Sequence, residues 1–321
     1  MNKKIRIGVL GCADIANRLV IPNLLQTGLF DLVAVASRSL EKAVQFATKF
    51  YCEPLVGYDK LIERKDIEAV YIPLPTGLHF EWITKALKSG KHVLAEKSLA
   101  FDIAETSSII SLAKEQKLCV FENFMFVFHS QFDFIKQQIE QNTIGEIRLL
   151  RTSFGFPPFN TETNIRYKKE LAGGALLDAG AYTIRAVHFL LGQNQKVLAS
   201  SREKGNWDID YQGSALLKNA DGIVSQLAFG FDNFYQNNIE LWGSKGKMTI
   251  EKAFTAGPGF MPKVIIETQN NKFEYTLPAD NHFQKILIKF AECIVRNQYE
   301  FFFDQILCQS GLLSQIRLLA K

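Results

Sequence analysis

The sequence predicts an α/β protein in two parts: an N-terminal doubly wound parallel sheet, then a C-terminal α+β region on a large, mostly antiparallel open sheet. Three observations predict it. From Ile5 to about Phe121, short β-rich runs alternate with helical patterns, the mark of βαβ units. From about residue 146 onward, strands follow one another closely with Gly, Asn and Asp between several of them, which reads as antiparallel pairing. The first strand also runs directly into a turn of small residues, Gly11-Cys12-Ala13-Asp14-Ile15-Ala16.

In order, Ile5 to Leu10 form strand 5–10, and Ile15, Leu19, Ile21, Leu24 and Leu25 give helical spacing to 14–27. Leu32-Val-Ala-Val-Ala36 marks strand 31–37, and helix 40–50, strand 69–72, helix 79–88, strand 92–95, helix 102–116 and strand 118–121 continue the alternation. Helix 129–141 leads through Gly145-Glu146 into strands near 146–156, 195–204, 210–218, 222–231, 235–243, 246–251, 263–268 and 272–276. Helix 175–191 interrupts that series, and helices 281–297 and 303–320 end it. Two domains are expected, 1–122 for dinucleotide binding and 123–321 for substrate binding and oligomerisation, with the C-terminal helices packing back on the first.

The composition suits a globular protein. Of 321 residues, 47% are hydrophobic and 22% charged, and the net charge of +4 comes without a long basic run, so nucleic acid is not expected as a partner. No apolar run approaches the roughly 18 residues of a membrane span, and the N-terminus enters a strand without an apolar leader; no membrane partner and a cytoplasmic location are expected. Cys12, Cys52, Cys119, Cys293 and Cys308 are scattered and form no C-x-x-C pair, so neither disulfides nor a metal site is expected.

The small-residue turn has the form G-x-A-x-x-A, set between a strand and a helix. Small side chains there let the backbone approach a pyrophosphate, and the helix N-terminus favours the anion. This is the setting of a Rossmann dinucleotide site, with Gly11, Cys12, Ala13, Asp14 and Ile15 against the phosphates. The ribose-reading position after the second strand holds Ser37-Arg38-Ser39 rather than an acid. Hydroxyls and a guanidinium suit a 2′-phosphate, so NADP(H) is the preferred cofactor; if Arg38 is only a solvated surface residue, NAD(H) remains open.

In an open α/β sheet, ligands bind beyond the carboxyl ends of the strands. Pro73, Leu74 and His79 follow strand 69–72, and Glu96 and Lys97 follow strand 92–95. Lys97 can donate to a substrate oxygen, although an ion pair with Glu96 is the plain structural alternative. His79 can meet the cofactor, or simply begin a helix. In the second part, Asn164, Arg166 and Tyr167 precede Asp178, Tyr182 and Arg185, whose spacing of four and three puts a carboxylate, a phenol and a guanidinium on one helix face. Tyr182 with Lys97 could serve as an acid/base pair.

Taken together, Gly11-x-Ala13-x-x-Ala16, Ser37-Arg38-Ser39, Tyr71-Ile-Pro-Leu-Pro-Thr76, Glu96-Lys97, Gly145-Glu146-Ile147 and Gly173-Gly-Ala-Leu-Leu-Asp178-x-Gly-x-Tyr182 resemble the glucose–fructose oxidoreductase/inositol dehydrogenase (Gfo/Idh/MocA) family over essentially the whole chain. The resemblance implies oxidation or reduction of carbohydrate hydroxyl or keto groups with NAD(P). By position, it makes Lys97 the lysine of the family's Glu-Lys-Pro motif, Asp178 a substrate-orienting residue and Tyr182 the acid/base group where many members have His. It also implies pairing of copies through the C-terminal sheet, as a homodimer or homotetramer. Ser98 stands where the family has proline. Either the Lys97–Ser98 bond is trans and the lysine is placed differently, or it is cis as before proline.

Asn164-Ile-Arg-Tyr167, Tyr182-Thr-Ile-Arg185 and the run Ile239 to Ile250 look like the nucleotide-diphosphate-hexose 3-ketoreductases within this family, and less closely like its xylose and dihydrodiol dehydrogenases. The expected activity is NADPH-dependent reduction of a keto-sugar, at the 3-keto group of a nucleotide-linked deoxyhexose. The alternatives are an NADP-dependent dehydrogenase of a free sugar or cyclic diol, and a catalytically silent cofactor- or sugar-binding protein on the same fold.

Overall fold

A computed structural model describes residues 3–320. The chain divides into two compact units, one holding residues up to Asn123 together with Phe283–Leu307, the other Phe124–His282 with the residues from Cys308 onward.

In the first unit, strands β1 (Ile5–Leu10), β2 (Phe30–Ser37), β3 (Glu53–Val56), β4 (Ala69–Ile72), β5 (His92–Ala95) and β6 (Val120–Glu122) form one sheet in the order β3-β2-β1-β4-β5-β6. Every pair is parallel. The direction of strand order reverses between β1 and β4, which opens a crevice at their carboxyl ends. Helices α1 (Ile21–Gln26), α2 (Leu40–Phe50), α3 (Tyr58–Ile62), α4 (His79–Lys88) and α5 (Ile103–Gln116) connect the strands. The central strands are apolar towards their carboxyl ends, where Val9, Ala36, Ile72 and Leu94 are fully buried.

Local chemistry sets the ends. Ser39 caps α2 by accepting from Lys42 N, and Asp102 caps α5 by accepting from Glu105 N. The helix expected at 14–27 is instead a π-helical turn, Ala16–Val20, followed by α1. Pro22 has no N–H for the ordinary helical ladder, so a break in the regular pattern falls beside it. Strand β3 and helix α3 were not anticipated: Pro54 and exposed side chains hide the strand at the sheet edge, and α3 is only five residues long.

The second unit begins with α6 (Ser130–Glu140) and contains α7 (Ala181–Leu191). Its strands are β7 (Ile147–Gly155), β8 (Gln195–Glu203), β9 (Gln212–Asn219), β10 (Val224–Gly230), β11 (Gln236–Gly243), β12 (Gly246–Glu251), β13 (Lys263–Thr268) and β14 (Lys272–Thr276), in the order β14-β13-β12-β11-β7-β10-β9-β8. All pairs are antiparallel except β7 with β10. One sheet face supplies Phe154, Leu217, Leu227, Ile239, Leu241 and Ile250 to the core, where Leu176, Ile184 and Val187 join them. The other face carries Arg151, Gln226, Glu240 and Trp242. There, Arg151 donates to Gln226 at 3.0 Å and Glu240 at 3.1 Å, with its guanidinium 5.6 Å from the Trp242 ring.

Two C-terminal helices follow, α8 (His282–Arg296) and α9 (Glu300–Leu319); α9 starts three residues before the expected 303 and takes in Phe301 and Phe302. In the first unit, Phe290 of α8 stacks on Phe30 at 6.3 Å and meets Phe121 at 6.0 Å. The helix expected at 175–191 is another two-part element, a π-helical turn Leu176–Gly180 running into α7.

Candidate active site

In the first unit, Gly11 closes β1 with φ of 119°, and its N–H donates to the Ala36 carbonyl at 2.9 Å. A Cβ there would lie 2.9 Å from Leu74 Cδ2, so glycine is needed both for the backbone angle and for the packing of Leu74. Ala16 is fully buried behind the turn. Asp14 and Ile15 begin the helical segment, with Asp14 turned to Arg18 in an exposed ion pair. Burial pushes the Cys12 thiol pKa up, so it adds no negative charge to the turn. At the end of β2, Ser37 Oγ accepts from Ser39 N at 3.2 Å while Arg38 is exposed.

Pro73 and Leu74 are buried at the end of β4. Lys97 is partly buried beyond β5, and the Lys97–Ser98 peptide bond is cis, the second of the two arrangements open from the sequence. Glu96 Oε1 accepts from Tyr71 Oη and from Asn123 Nδ2, both at 2.6 Å. Burial pushes the Glu96 carboxyl pKa up, against the pull of those two donors and of the Lys97 charge. One turn of chain later, Leu99 N donates to Glu122 Oε1 at 2.8 Å.

His79 is fully buried rather than presented to a ligand. Its Nε2 lies 2.7 Å from the Leu74 carbonyl and its Nδ1 2.9 Å from the Ser98 carbonyl. Burial lowers its pKa; the facing carbonyls act the other way, and the Lys97 charge adds to the lowering.

The second unit gathers the remaining candidates. Arg166 Nε donates to Asp178 Oδ2 at 2.5 Å, and Asn164 Oδ1 caps the turn by accepting from Arg166 N at 3.0 Å. The Arg166 guanidinium also lies 4.6 Å from the Phe159 ring. Gly173 lets this loop close on the helix entrance: a Cβ there would sit 2.3 Å from the Arg166 carbonyl oxygen. Tyr182 lies among Phe124, Phe126, Phe154 and Phe254, with ring centroids between 5.1 and 5.8 Å. Arg185 reaches the same Phe124 ring at 5.8 Å. Tyr167, by contrast, is buried against Trp207 and Phe231, and its hydroxyl accepts from Phe159 N; its contacts brace the loop.

Several supporting residues escaped the sequence reading. Tyr71 and Asn123 hold Glu96, the four phenylalanines surround Tyr182, and Asp210 Oδ2 accepts from Leu176 N at 2.7 Å at the entrance to the helical segment bearing Asp178 and Tyr182. Only Tyr71 and Phe254, the latter in Ala253-Phe-Thr255, lay in motifs singled out from the sequence. Among the described residues, no group of three or more His, Cys, Asp or Glu side chains could hold a metal ion.

A parallel sheet with this strand order and a glycine turn at β1 define a Rossmann-type dinucleotide-binding unit. The family model for the oxidoreductase family with NAD-binding Rossmann fold matches residues 5–124, and that for the GFO/IDH/MocA C-terminal domain matches 132–249. The chain belongs to the Gfo/Idh/MocA family of NAD(P)-dependent oxidoreductases. It is 43% identical to a dTDP-3,4-didehydro-2,6-dideoxy-alpha-D-glucose 3-reductase of Saccharopolyspora spinosa, over 92% of this chain and 89% of that one. A reductase of the same name from Actinomadura kijaniata is 39% identical over 98% and 95%. The crystal structure of KijD10, a 3-ketoreductase from Actinomadura kijaniata in complex with NADP and TDP-benzene, superposes with a TM-score of 0.97 at 38% identity, covering 99% of this chain and 98% of that one.

Proposed function

We propose that the protein is an NADPH-dependent reductase of the 3-keto group of a nucleotide-linked deoxyhexose, with the dinucleotide site in the N-terminal domain expected at 1–122, to which Phe283–Leu307 of the C-terminal helices belong as a compact unit, and substrate binding and oligomerisation in the remainder of 123–321. The observation that carries the reading is the similarity, over 92% and 98% of this chain, to reductases named for this reaction, in a chain whose Arg166 and Asp178 pair at the helix entrance, with Tyr182 four residues further along the same helical segment.

The first unit fits NADP(H). Gly11, in a backbone conformation that suits glycine, brings the small-residue turn tight against Leu74 before the helical segment that begins at Asp14, which suits a pyrophosphate at the helix N-terminus, and Ser37 and Arg38 at the end of β2 suit the 2′-phosphate. Ala13, Asp14 and Ile15 follow in the turn, and Pro73 and Leu74 bound its far side. When bound, the nicotinamide supplies the hydride. Lys97 donates to the substrate oxygen and stabilises negative charge on it. Tyr182 delivers the proton, its hydroxyl carried by a ring that four phenylalanines hold in place. Asp178 orients the substrate, itself fixed by Arg166. Arg166, Arg185 and Asn164 are the cationic and amide partners for the sugar and its diphosphate.

We also infer pairing of two copies through the open face of the β7–β14 sheet. Its support is the ordered row Gln226, Arg151 and Glu240, beside a half-exposed Trp242, on a face the unit's own helices leave uncovered. The five cysteines are all free, as suits the reducing cytoplasm, and no described helix is long and apolar enough to cross a membrane.

The test is fluorescence titration with NADPH and NADH, followed by turnover of a dTDP-linked 3-keto-deoxyhexose against the free sugar. Saturable NADPH binding and turnover only of the nucleotide-linked substrate are expected. Turnover of free aldoses or cyclic diols without nucleotide would replace the reading with a dehydrogenase, and NADPH binding without turnover with a silent binding protein.

A further inference from the structure

The buried imidazole of His79 sits where two loops of the first unit meet, and each loop offers it a carbonyl. On one side is Leu74, whose side chain packs against Gly11 in the cofactor turn. On the other is Ser98, the residue after Lys97. Carbonyl oxygens only accept, and a neutral imidazole has one N–H to give. Two acceptors at 2.7 and 2.9 Å therefore share a single donor.

We propose that His79 is a positioning residue that ties the loop behind the cofactor turn to the segment carrying Lys97, through one ring N–H that serves either carbonyl. The neighbouring anchors make this segment sensitive to that tie. Glu96 is held by Tyr71 and Asn123, and Leu99 N by Glu122, so the chain is pinned on both sides of Lys97 and Ser98. The Ser98 carbonyl between those anchors is met by the His79 ring. Shifting it moves the Lys97 backbone directly, whereas shifting the Leu74 carbonyl moves the side chain that packs on Gly11. No ligand needs to touch His79 for either effect.

The two arms can be separated because Asn places its amide N–H near Nδ1 and Gln near Nε2. The inference rests on the catalytic reading of Lys97, so His79→Asn, His79→Gln and Lys97→Met are compared with the wild type in one set of assays. NADPH affinity is read by fluorescence, kcat by turnover of the keto-sugar nucleotide, and folding by circular dichroism. His79→Asn, which keeps the Ser98 bond, is expected to retain kcat within about threefold and to bind NADPH about tenfold more weakly. His79→Gln, which keeps the Leu74 bond, is expected to bind NADPH within about threefold of wild type and to lose kcat about tenfold; tenfold is the scale of one hydrogen bond. Folded variants that lose affinity and kcat in the same proportion, or lose neither, would overturn the proposal. If Lys97→Met turns over normally, the role of the lysine fails instead, and the affinity difference between the Asn and Gln variants still decides whether His79 supports the cofactor turn.

Discussion

The two units prepare their functional groups by different means. In the first, the groups stand at strand ends, and main-chain geometry does most of the placing: Gly11 takes a positive φ, and Ser37, Leu74 and Lys97 follow β2, β4 and β5. In the second, side chains far apart in sequence do the placing. Arg166 holds Asp178 across twelve residues, Asp210 caps the helical segment from a further stretch of chain, and Tyr182 depends on rings from four separate positions. A site of the first kind tolerates many side-chain changes but few at its glycine; one of the second kind is sensitive at each partner.

The contrast is broken most sharply at Tyr182. Tyr182→Phe keeps the ring packing and removes the proposed proton donor, so turnover should fall about 100- to 10,000-fold with NADPH affinity unchanged. Near-normal turnover in a steady-state assay would take Tyr182 out of the mechanism. In the first unit, the matching change is Arg38→Asp, which exchanges the proposed donor to the 2′-phosphate for a repelling charge. The ratio of NADPH to NADH affinity should drop about 10- to 100-fold, the scale of a lost charge-assisted bond. An unchanged ratio would leave Arg38 as a surface residue.

Acid should act through the second unit's helix α7. His188 is buried there, and burial, reinforced by the charge of Arg185, lowers its pKa to about 3. The unfolded chain takes up a proton near pH 6.5, while the folded protein resists it until about pH 3. The contribution to stability is thus present above pH 6.5 and is lost progressively as pH falls toward 3, at about 1.4 kcal/mol per pH unit, or roughly 2 kcal/mol by pH 5. Denaturant melts of the wild type and His188→Gln at pH 7.5 and 5 check this: the wild type should lose more stability than the variant.

How much of this was legible follows the same contrast. Strands β1, β4 and β5 and the groups at their ends were visible because periodicity and turn chemistry are local properties. The edge strand β3 was hidden by Pro54, and both π-helical turns were read as ordinary helix because apolar spacing cannot distinguish a widened turn. His79 was visible as a residue but not as a buried one, since the carbonyls that face it come from Leu74 and from Ser98, nineteen residues on. Asp178 and Tyr182 stood out in a motif; Asp210 and Phe154 did not, because their relation to the helix exists only after folding.

Asp210 gives the smallest and most diagnostic effect. Its Oδ2 accepts from Leu176 N and its main-chain carbonyl from Ala175 N, both at 2.7 Å, so it satisfies two donors at a helix entrance. Arg202 approaches Oδ1 at 3.4 Å, and a Cβ on Gly174 would lie 2.7 Å from that same oxygen, which leaves the carboxylate little room to move. Asp210→Asn keeps the shape and the main-chain bond but removes the charge, and should cost about 1 kcal/mol in a thermal or denaturant melt. Because the cap sets the start of the segment that carries Asp178 and Tyr182, the loss should appear as a raised KM for the sugar nucleotide with NADPH affinity intact. A variant that weakens NADPH instead would mean that Asp210 serves the first unit and that the two units do not divide these roles.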